Sequence, residues 1–499
     1  MRLKELLSEI EIESVRGDTD IEIDGVEWDF YTVRPKDLFI YSGNAISGKL
    51  NIVGRAIRRG AIAVISDTES AALACDGVTW IKVSRVNGLR DRLCHTFYGD
   101  PTKQMTLIGV TGTKGKTTTV SMIYTILKKA GYNVAMETTI GTYIGNNFYS
   151  MEEARSHEYR YYNEMAKNGV RFVVFEMTSM AMQRGLHKRH HFDTCVYTNL
   201  SADHIGKYGH STFDDYAECK SRLFTSCSTA VINGDDPRIC ADVGKVAENI
   251  ETFGLSGHCD LYAESVVQTD RFGVRFKTGG VLKTEIEIPY SGTFSVYNAL
   301  AAISVCRRYG VQSDVLRDAL SDFHLKGRME EVPFAEGIHV FVDYAHNGAS
   351  LEKVLTMLRA YKPKRLVSVF GCGGERPMVR RTDMGKISGQ LADLTVITSD
   401  NPRSEDPMKI IRDIENAVSE TDGQYRIIPD RAEAIESVLS SAERGDIILI
   451  AGKGHEQYQR VGEDRIRTDD RSVIENYVRE HMNTDTVPNV GYANDQFQL

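Results

Sequence analysis

Apolar residues in this chain gather in short dense runs rather than in long amphipathic stripes. Met105–Val110, Phe172–Met177, Thr194–Asn199 and Ala230–Asn233 are such runs in the middle of the chain. His339–Asp343, Leu366–Phe370, Leu394–Thr398 and Ile447–Ala451 follow in its last third. β-Branched residues are common in them, and stretches of helical pattern separate them. Runs without a polar face, alternating with helices, predict parallel strands buried between helix layers. The first hundred residues differ. A short amphipathic helix in MRLKELLSEI precedes short strands, a helix near Leu50–Arg59 and a strand at Ala61–Ser66. The last stretch, Asn483–Leu499, is polar with Pro, Gly and Asn, and predicts a disordered tail.

These patterns divide the chain into blocks 1–100, 101–326 and 327–482, with the tail at 483–499. A length of 499 residues agrees, since a domain takes roughly 100–200 residues. Hydrophobic residues at 41% and charged residues at 26% describe a soluble globular protein. A net charge of −9 argues against a domain-wide basic surface for nucleic acid. No apolar run approaches the roughly 18 residues of a membrane span, so no membrane partner and a cytoplasmic location are expected. The nine cysteines are scattered without a CxxC pair, and read as reduced thiols packed as small hydrophobes.

Candidate chemistry begins after the Met105–Val110 run. Gly112-Thr113-Lys114-Gly115-Lys116-Thr117-Thr118 lies between a strand and a helix, the context a phosphate loop requires. Glycines let several N–H groups face one anion, and the helix N-terminus adds partial positive charge. Lys116 supplies a full charge, and Thr117 a hydroxyl for Mg²⁺. The spacing departs from GxxxxGK[ST], because position 110 is Val. Such a loop alone fits kinases, motor ATPases and ligases.

Motifs elsewhere narrow the choice. Thr198-Asn199-Leu200 with Asp203-His204, Cys219-Lys220, Gly292-Thr-Phe294 with Asn298-Ala299, Gly327-Arg328-Met329-Glu330 and Asp343-Tyr344-Ala345-His346 stand in that order. Gly371–Gly374, Asp400-Asn401-Pro402-Arg403 and Gly452-Lys453-Gly454-His455-Glu456 follow. Together with the phosphate loop, this series resembles the Mur ligases over nearly the whole chain, and within them the MurE type. The resemblance implies a three-domain α/β architecture. It comprises an N-terminal donor-binding domain, a central P-loop ATPase-like parallel sheet and a C-terminal Rossmann-like domain that takes the amino acid.

The resemblance also implies roles. Residues 112–118, Asn298, Arg328 and Asp343 would bind ATP, with Asn298 at the base and Asp343 at the ribose. Thr117, Glu176 and His204 would help hold Mg²⁺ or Mn²⁺, joined by Lys220 if it is carbamoylated. Lys116, Lys220, His204 and His346 would be catalytic. His346 reads equally well as a general base or as a structural histidine. Arg381, Asp400, Asn401, Arg403, Gly452 and Glu456 would form the amino-acid pocket. The Arg form of the Asp-Asn-Pro-Arg string is associated with meso-diaminopimelate. A planar guanidinium at Arg403 can grip its distal carboxylate, and Glu456 its distal ammonium. Lysine lacks that carboxylate and would leave the guanidinium unpaired.

The donor side departs from the family. Ser150–His157 replaces the usual Thr-Thr-Pro region, and Glu176-Met-Thr-Ser-Met180 replaces Glu-Val-Ser-Ser-His. Arg184-Gly185-Leu186 stands for Gln-Gly-Arg, and Trp28-Asp29-Phe30-Tyr31 for Asp-Ser-Arg, while an expected Asp-Gly-His-Phe near 47–51 is missing. The basic run His187–His191 reads either as a contact for an anionic donor or as a solvated loop. The expected protein is a monomeric ATP-dependent ligase with small-molecule substrates, coupling diaminopimelate to UDP-N-acetylmuramoyl-L-Ala-D-Glu through an acyl phosphate. The alternatives are a MurE-like paralogue with another acyl donor and a non-catalytic nucleotide-binding scaffold. A folylpolyglutamate-type ligase would share the core but gives no reason for the Asp-Asn-Pro-Arg and Gly-Lys-Gly-His-Glu strings.

Overall fold

A computed structural model describes residues 1–42, 51–150, 158–203, 205–206, 209–270, 272–462 and 464–482. His204, the Asp-Gly-His-Phe region, most of Ser150–His157 and the tail lie outside the described residues. The chain divides into two compact units. One comprises Met1–Glu264, Lys277–Thr284 and Tyr297–Ala319; the other comprises Ser265–Phe276, Glu285–Val296 and the chain from Leu320 onward.

The first unit contains two sheets. The smaller has five strands in the order Ser14–Arg16, Thr79–Lys82, Ala63–Ser66, Asp37–Tyr41, Gly25–Glu27. All its pairings are parallel except that of Ser14–Arg16. Its interior strand Ala63–Ser66 is buried throughout, which is why it carries no polar alternation. Leu3, Leu6 and Leu7 of the N-terminal helix close one face, although that helix spans only Leu3–Leu7. Arg160, on the helix Glu158–Lys167, reaches two neighbouring strands of this sheet. Its Nη2 lies 2.9 Å from a carboxylate oxygen of both Glu27 and Asp37.

The larger sheet is built on Thr106–Thr111. Phe172–Glu176 and Phe192–Tyr197 flank it, both parallel to it. Cys227–Asn233 and Ile250–Gly254 continue in parallel on one side, and Val134–Glu137 on the other. Beyond Val134–Glu137 the all-parallel expectation fails, because Gly141–Ile144 and Asn147–Ser150 join antiparallel. The connections there are only a few residues long, and a parallel crossover needs a dozen or more. The short strands and the Gly145-Asn146 turn carry little apolar signal, so the pattern of runs misses them.

In the second unit, Glu330–Val332, His339–Asp343, Asp446–Ala451, Arg365–Phe370, Leu394–Ile397 and Gln424–Ile427 are neighbours in that order. All pairs are parallel except the first. Helices cover both faces, burying Leu355, Ile411 and Ile414 on one side and Ile435, Val438 and Ile474 on the other. A separate antiparallel hairpin, Tyr458–Val461 with Asp464–Arg467, follows the last strand. Sequence periodicity did not reveal it. All nine cysteines are free thiols, most of them buried, as expected.

Beneath this sheet Arg431 and Asp470 form a bidentate ion pair at 2.7 Å on both contacts. Both side chains are only 2% exposed. Arg431 also donates to the carbonyls of Ser399 and Ala451. Removing one partner of such a pair leaves a charge in low dielectric. Asp470→Ala is therefore expected to destabilise the fold by about 3–5 kcal/mol, measured by urea denaturation. A loss under about 1 kcal/mol, the range of exposed pairs, would contradict this account.

Candidate active site

The phosphate loop leaves the strand Thr106–Thr111 and enters the helix Lys116–Lys129. Two glycines make the bend. Gly112 has φ +149°, and a Cβ there would lie 2.0 Å from Thr198 Oγ1; Gly115 has φ +80°, and a Cβ there would lie 2.3 Å from Asn298 Oδ1. Neither conformation nor either space admits a side chain. The Thr-Asn-Leu segment acts as the second wall of the loop. Thr113 N donates to Asn199 O at 2.9 Å, and Lys114 N to Asn199 Oδ1 at 2.9 Å. Asn199 Nδ2 and Thr198 Oγ1 both donate to Lys114 O at 2.8 Å. Lys114 Nζ is paired with Asp203 at 3.1 Å. Thr118 is partly exposed in the first turn of the helix, and Asn298 is buried beside Gly115 with its Oδ1 3.3 Å from Thr119 Oγ1.

Two amines converge on this loop. Lys116 Nζ donates to Gly112 O and Thr113 O, both at 2.9 Å. Lys220, on the helix Phe213–Ser221, donates to the same Gly112 oxygen at 2.8 Å. Lys220 is 1% exposed. Burial, and then the neighbouring Lys116 ammonium, push its amine well below the usual lysine range. A solvated helix lysine is thereby excluded. Thr117 Oγ1 donates to Glu176 Oε2 at 2.8 Å, and Thr139 N and Oγ1 reach the same oxygen at 3.2 Å. A threonine hydroxyl and a carboxylate are the hard oxygen donors that Mg²⁺ takes.

In the second unit, Asp343 ends its strand 7% exposed. Its two oxygens accept from Met329 N at 2.7 Å and Ala345 N at 2.8 Å. It therefore fixes the backbone on both sides of the Gly-Arg-Met-Glu and Asp-Tyr-Ala-His strings. Burial, opposed by Arg328, raises its carboxyl above the usual range. Arg328 lies over the Tyr344 ring at 4.5 Å, and its Nε is buried without a hydrogen-bond partner among the described residues. A ligand acceptor would satisfy that donor. His346 Nδ1 is 2.8 Å from Tyr344 O. That contact assigns the proton to Nδ1 and makes Nε2 the basic nitrogen.

The predicted amino-acid residues gather at the ends of the strands Leu394–Ile397 and Asp446–Ala451. Asn401 Nδ2 donates to Glu456 Oε2 at 2.7 Å. Gly452, at φ +110°, lies so close to Asp400 that a Cβ would meet its carboxylate at 2.8 Å. Arg403 donates to Gly374 O at 2.6 Å and holds φ +54°, a costly backbone for a residue with a Cβ. Arg381 is 3% exposed and committed to Glu405 and Asp413, both at 2.8 Å. Its structural role here is to brace that loop from behind. Burial, and then Asp400, raise the Glu456 carboxyl, while the Asn401 donor lowers it.

The donor-side departures read differently in space. Met180, where the family has His, is 52% exposed, and Tyr31 is 64% exposed. Phe30 and Tyr31 have ring centroids 4.0 Å apart, with the Arg55 guanidinium 5.4 Å from the Phe30 ring. The basic run is partly solvated, with Lys188, Arg189 and His191 exposed and the other two members enclosed. Arg189 is paired with Glu158 and Asp91, His187 is buried, and His190 is enclosed by Tyr162, Phe175 and Phe192. Sequence spacing could not show that Arg189 is matched by Glu158 and Asp91, far upstream in the chain.

One unit carries a glycine-lined loop with two converging lysines, and the other carries strand ends that gather carboxylates and an arginine; this is the residue chemistry of an ATP-using ligase. The Mur ligase middle domain matches residues 110–306, and the Mur ligase glutamate ligase domain matches residues 327–454. The chain belongs to the Mur ligase family of ATP-dependent, ADP-forming ligases. It is 36% identical over 488 residues to the UDP-N-acetylmuramoyl-L-alanyl-D-glutamate–2,6-diaminopimelate ligase of Alkaliphilus metalliredigens, covering 96% of this chain and 98% of that one. It is also 36% identical to the enzyme of the same name from Caldanaerobacter subterraneus, over 96% and 99% of the two chains. A solved structure of a ligase of that name superimposes with TM-score 0.61 at 28% identity, covering 96% of this chain and 99% of the other. No helix among the described residues is long and apolar enough to cross a membrane.

Gly115→Ala forces a left-handed alanine against Asn298. It is expected to raise the KM for ATP about 5- to 30-fold, the cost of a strain near 1–2 kcal/mol, and steady-state ADP release measures it. In the role expected from the resemblance, Glu456 must be ionised to hold an ammonium. Its raised carboxyl then predicts that amino-acid affinity falls with decreasing pH from a point above the usual glutamate range. Asn401→Ala, which removes the lowering donor, is expected to move that midpoint further up in a KM–pH profile.

Proposed function

We propose that this protein joins meso-diaminopimelate to UDP-N-acetylmuramoyl-L-Ala-D-Glu, using ATP, in peptidoglycan precursor synthesis. The observation that carries the amino-acid half is the gathering of Asp400, Asn401, Arg403, Gly452 and Glu456 past the ends of two strands of one sheet, supported by relatives that bear this name. An arginine fork for a carboxylate near a carboxylate for an ammonium suits a second amino-acid head group better than the plain ammonium of lysine.

In the proposed reaction the donor carboxylate attacks the γ-phosphorus of ATP, giving an acyl phosphate and ADP. The amine then attacks the acyl carbon, phosphate leaves with the bonding pair, and the amine loses a proton. The two anions must first be brought together against their repulsion, and cationic side chains with oriented N–H groups do this. Lys116 and the loop amides serve the phosphates, with Arg328, Asp343 and Asn298 as further nucleotide contacts. Bound Mg²⁺ would supply charge neutralisation at the phosphates. Thr117 and Glu176 are its proposed ligands, with His204 carried on the resemblance alone. Lys220 fits the carbamate reading, because only a neutral amine adds CO₂, forming an N–C bond and releasing a proton. The resulting anion would relieve the crowding of two amines at Gly112 O. His346 is proposed to accept the amine proton at Nε2.

A second reading keeps the chemistry and changes the donor. The exposed Met180 and the Phe30–Tyr31 step, at positions where the family has His and Asp-Ser-Arg, favour it.

The test is a matrix of carboxylate donors against diaminopimelate and lysine, scored by phosphate release. Diaminopimelate with the UDP-muramoyl dipeptide is expected to be the productive pair. Equal turnover of lysine would remove the argument from Arg403, and an inert UDP-muramoyl dipeptide beside a reactive acid would select the second reading. Lys116→Ala is expected to lower turnover about 10²–10³-fold in a folded protein, as loss of a charge-stabilising donor does.

A further inference from the structure

The hairpin Tyr458–Arg467 has no part in the roles above, yet its first strand and turn are bonded to the amino-acid residues Asp400–Arg403. Arg403 N donates to Arg460 O at 3.0 Å, and Gly462 N to Arg403 O at 2.7 Å. These two bonds clamp the left-handed Arg403 on both sides. Arg460 N donates to Asn401 Oδ1 at 2.8 Å, and Gln459 Nε2 to the carbonyl of Asp400. The hairpin is rooted by Lys453, which is 0% exposed. Its Nζ donates to Tyr458 O at 3.0 Å, Thr468 O at 3.2 Å and Thr468 Oγ1 at 2.9 Å, tying the two ends of the hairpin together.

The consequence concerns the Asn401 amide. Its oxygen faces a backbone N–H, so its nitrogen must face Glu456, and it donates there at 2.7 Å. One oxygen of Glu456 is thereby occupied and its orientation set. We propose that the Tyr458–Arg467 hairpin is the specificity clamp of the amino-acid site, with Gln459 and Lys453 as positioning residues. They hold Asp400–Arg403 so that Asn401 must donate to Glu456 and the Arg403 fork is aimed before the substrate arrives. This rests on the amino-acid site proposed above. Pre-organisation of this kind lowers the cost of binding without adding a contact.

Gln459→Ala and the isosteric Gln459→Glu, which cannot donate to a carbonyl, test it in the full-length enzyme. Both are expected to raise the KM for the amino acid that the wild type turns over about fivefold, the loss of one or two positioning hydrogen bonds. The KM for ATP should stay within about twofold, and preference for diaminopimelate over lysine should fall. Hydrogen exchange at the Arg403, Arg460 and Gly462 amides should quicken about tenfold. Thr468→Val, which removes one acceptor from Lys453, should act in the same direction and serves if Gln459→Ala does not fold. Unchanged exchange at the three amides would overturn the proposal. So would an unchanged amino-acid KM, or equal rises in both KM values. A wild type inert with every amino acid would defeat the proposed function instead, and the exchange measurement would still decide whether the clamp exists.

Discussion

One carbonyl oxygen organises the first unit. Gly112 O accepts from both Lys116 and Lys220, so two amines share an acceptor inside the proposed phosphate loop. Two full positive charges that close, with one of them buried, are untenable. Burial and the Lys116 ammonium accordingly push the Lys220 amine well below the usual lysine range. The same crowding explains why the loop is so heavily braced. Thr198, Asn199, Ser201 and Tyr216 all bond to residues 113 and 114, and the Thr113 and Lys114 amides both donate to Asn199, which fixes the shape of the loop. The glycines provide the bend, and the Thr-Asn-Leu wall keeps it.

The second unit solves a related problem with the opposite sign. Asp400, Glu456 and Asp470 lie at or beneath the strand ends, close enough to influence one another's neighbours electrostatically. Arg431 and Lys453 are buried among them and balance the charge. These two cations are structural, since each is saturated by carbonyls or a carboxylate. Their burial leaves Arg403 as a cation whose setting is specifically shaped, by a loop conformation that a residue with a Cβ adopts only under constraint.

Much of this was legible before any coordinates. Long buried parallel strands announce themselves as β-branched runs, and every one of the eight named runs falls on a strand. The phosphate loop was legible because its chemistry is local in sequence. What stayed hidden depends on partners distant in the chain. Arg381 looked like a substrate contact until Glu405 and Asp413 were seen around it. The run His187–His191 looked available until its acids and aromatic neighbours were placed. The Tyr458–Arg467 hairpin was missed because short, polar, exposed strands have no periodic apolar face to read, and the antiparallel edge because its strands are only four residues long.

The backbone at Arg403 carries an implication for how such a pocket can change over generations. Its left-handed geometry is imposed from outside, by bonds to main-chain atoms of residues 460 and 462 rather than to its own side chain. Glycine or asparagine would occupy that geometry with less strain than arginine does. A single codon change can therefore delete the guanidinium and relax the turn together, leaving the surrounding loop standing. The charge preference of the proposed pocket is in that sense a replaceable fitting on a permanent frame, and on that proposal descendants of this enzyme could exchange one amino acid for another without first passing through a misfolded ancestor.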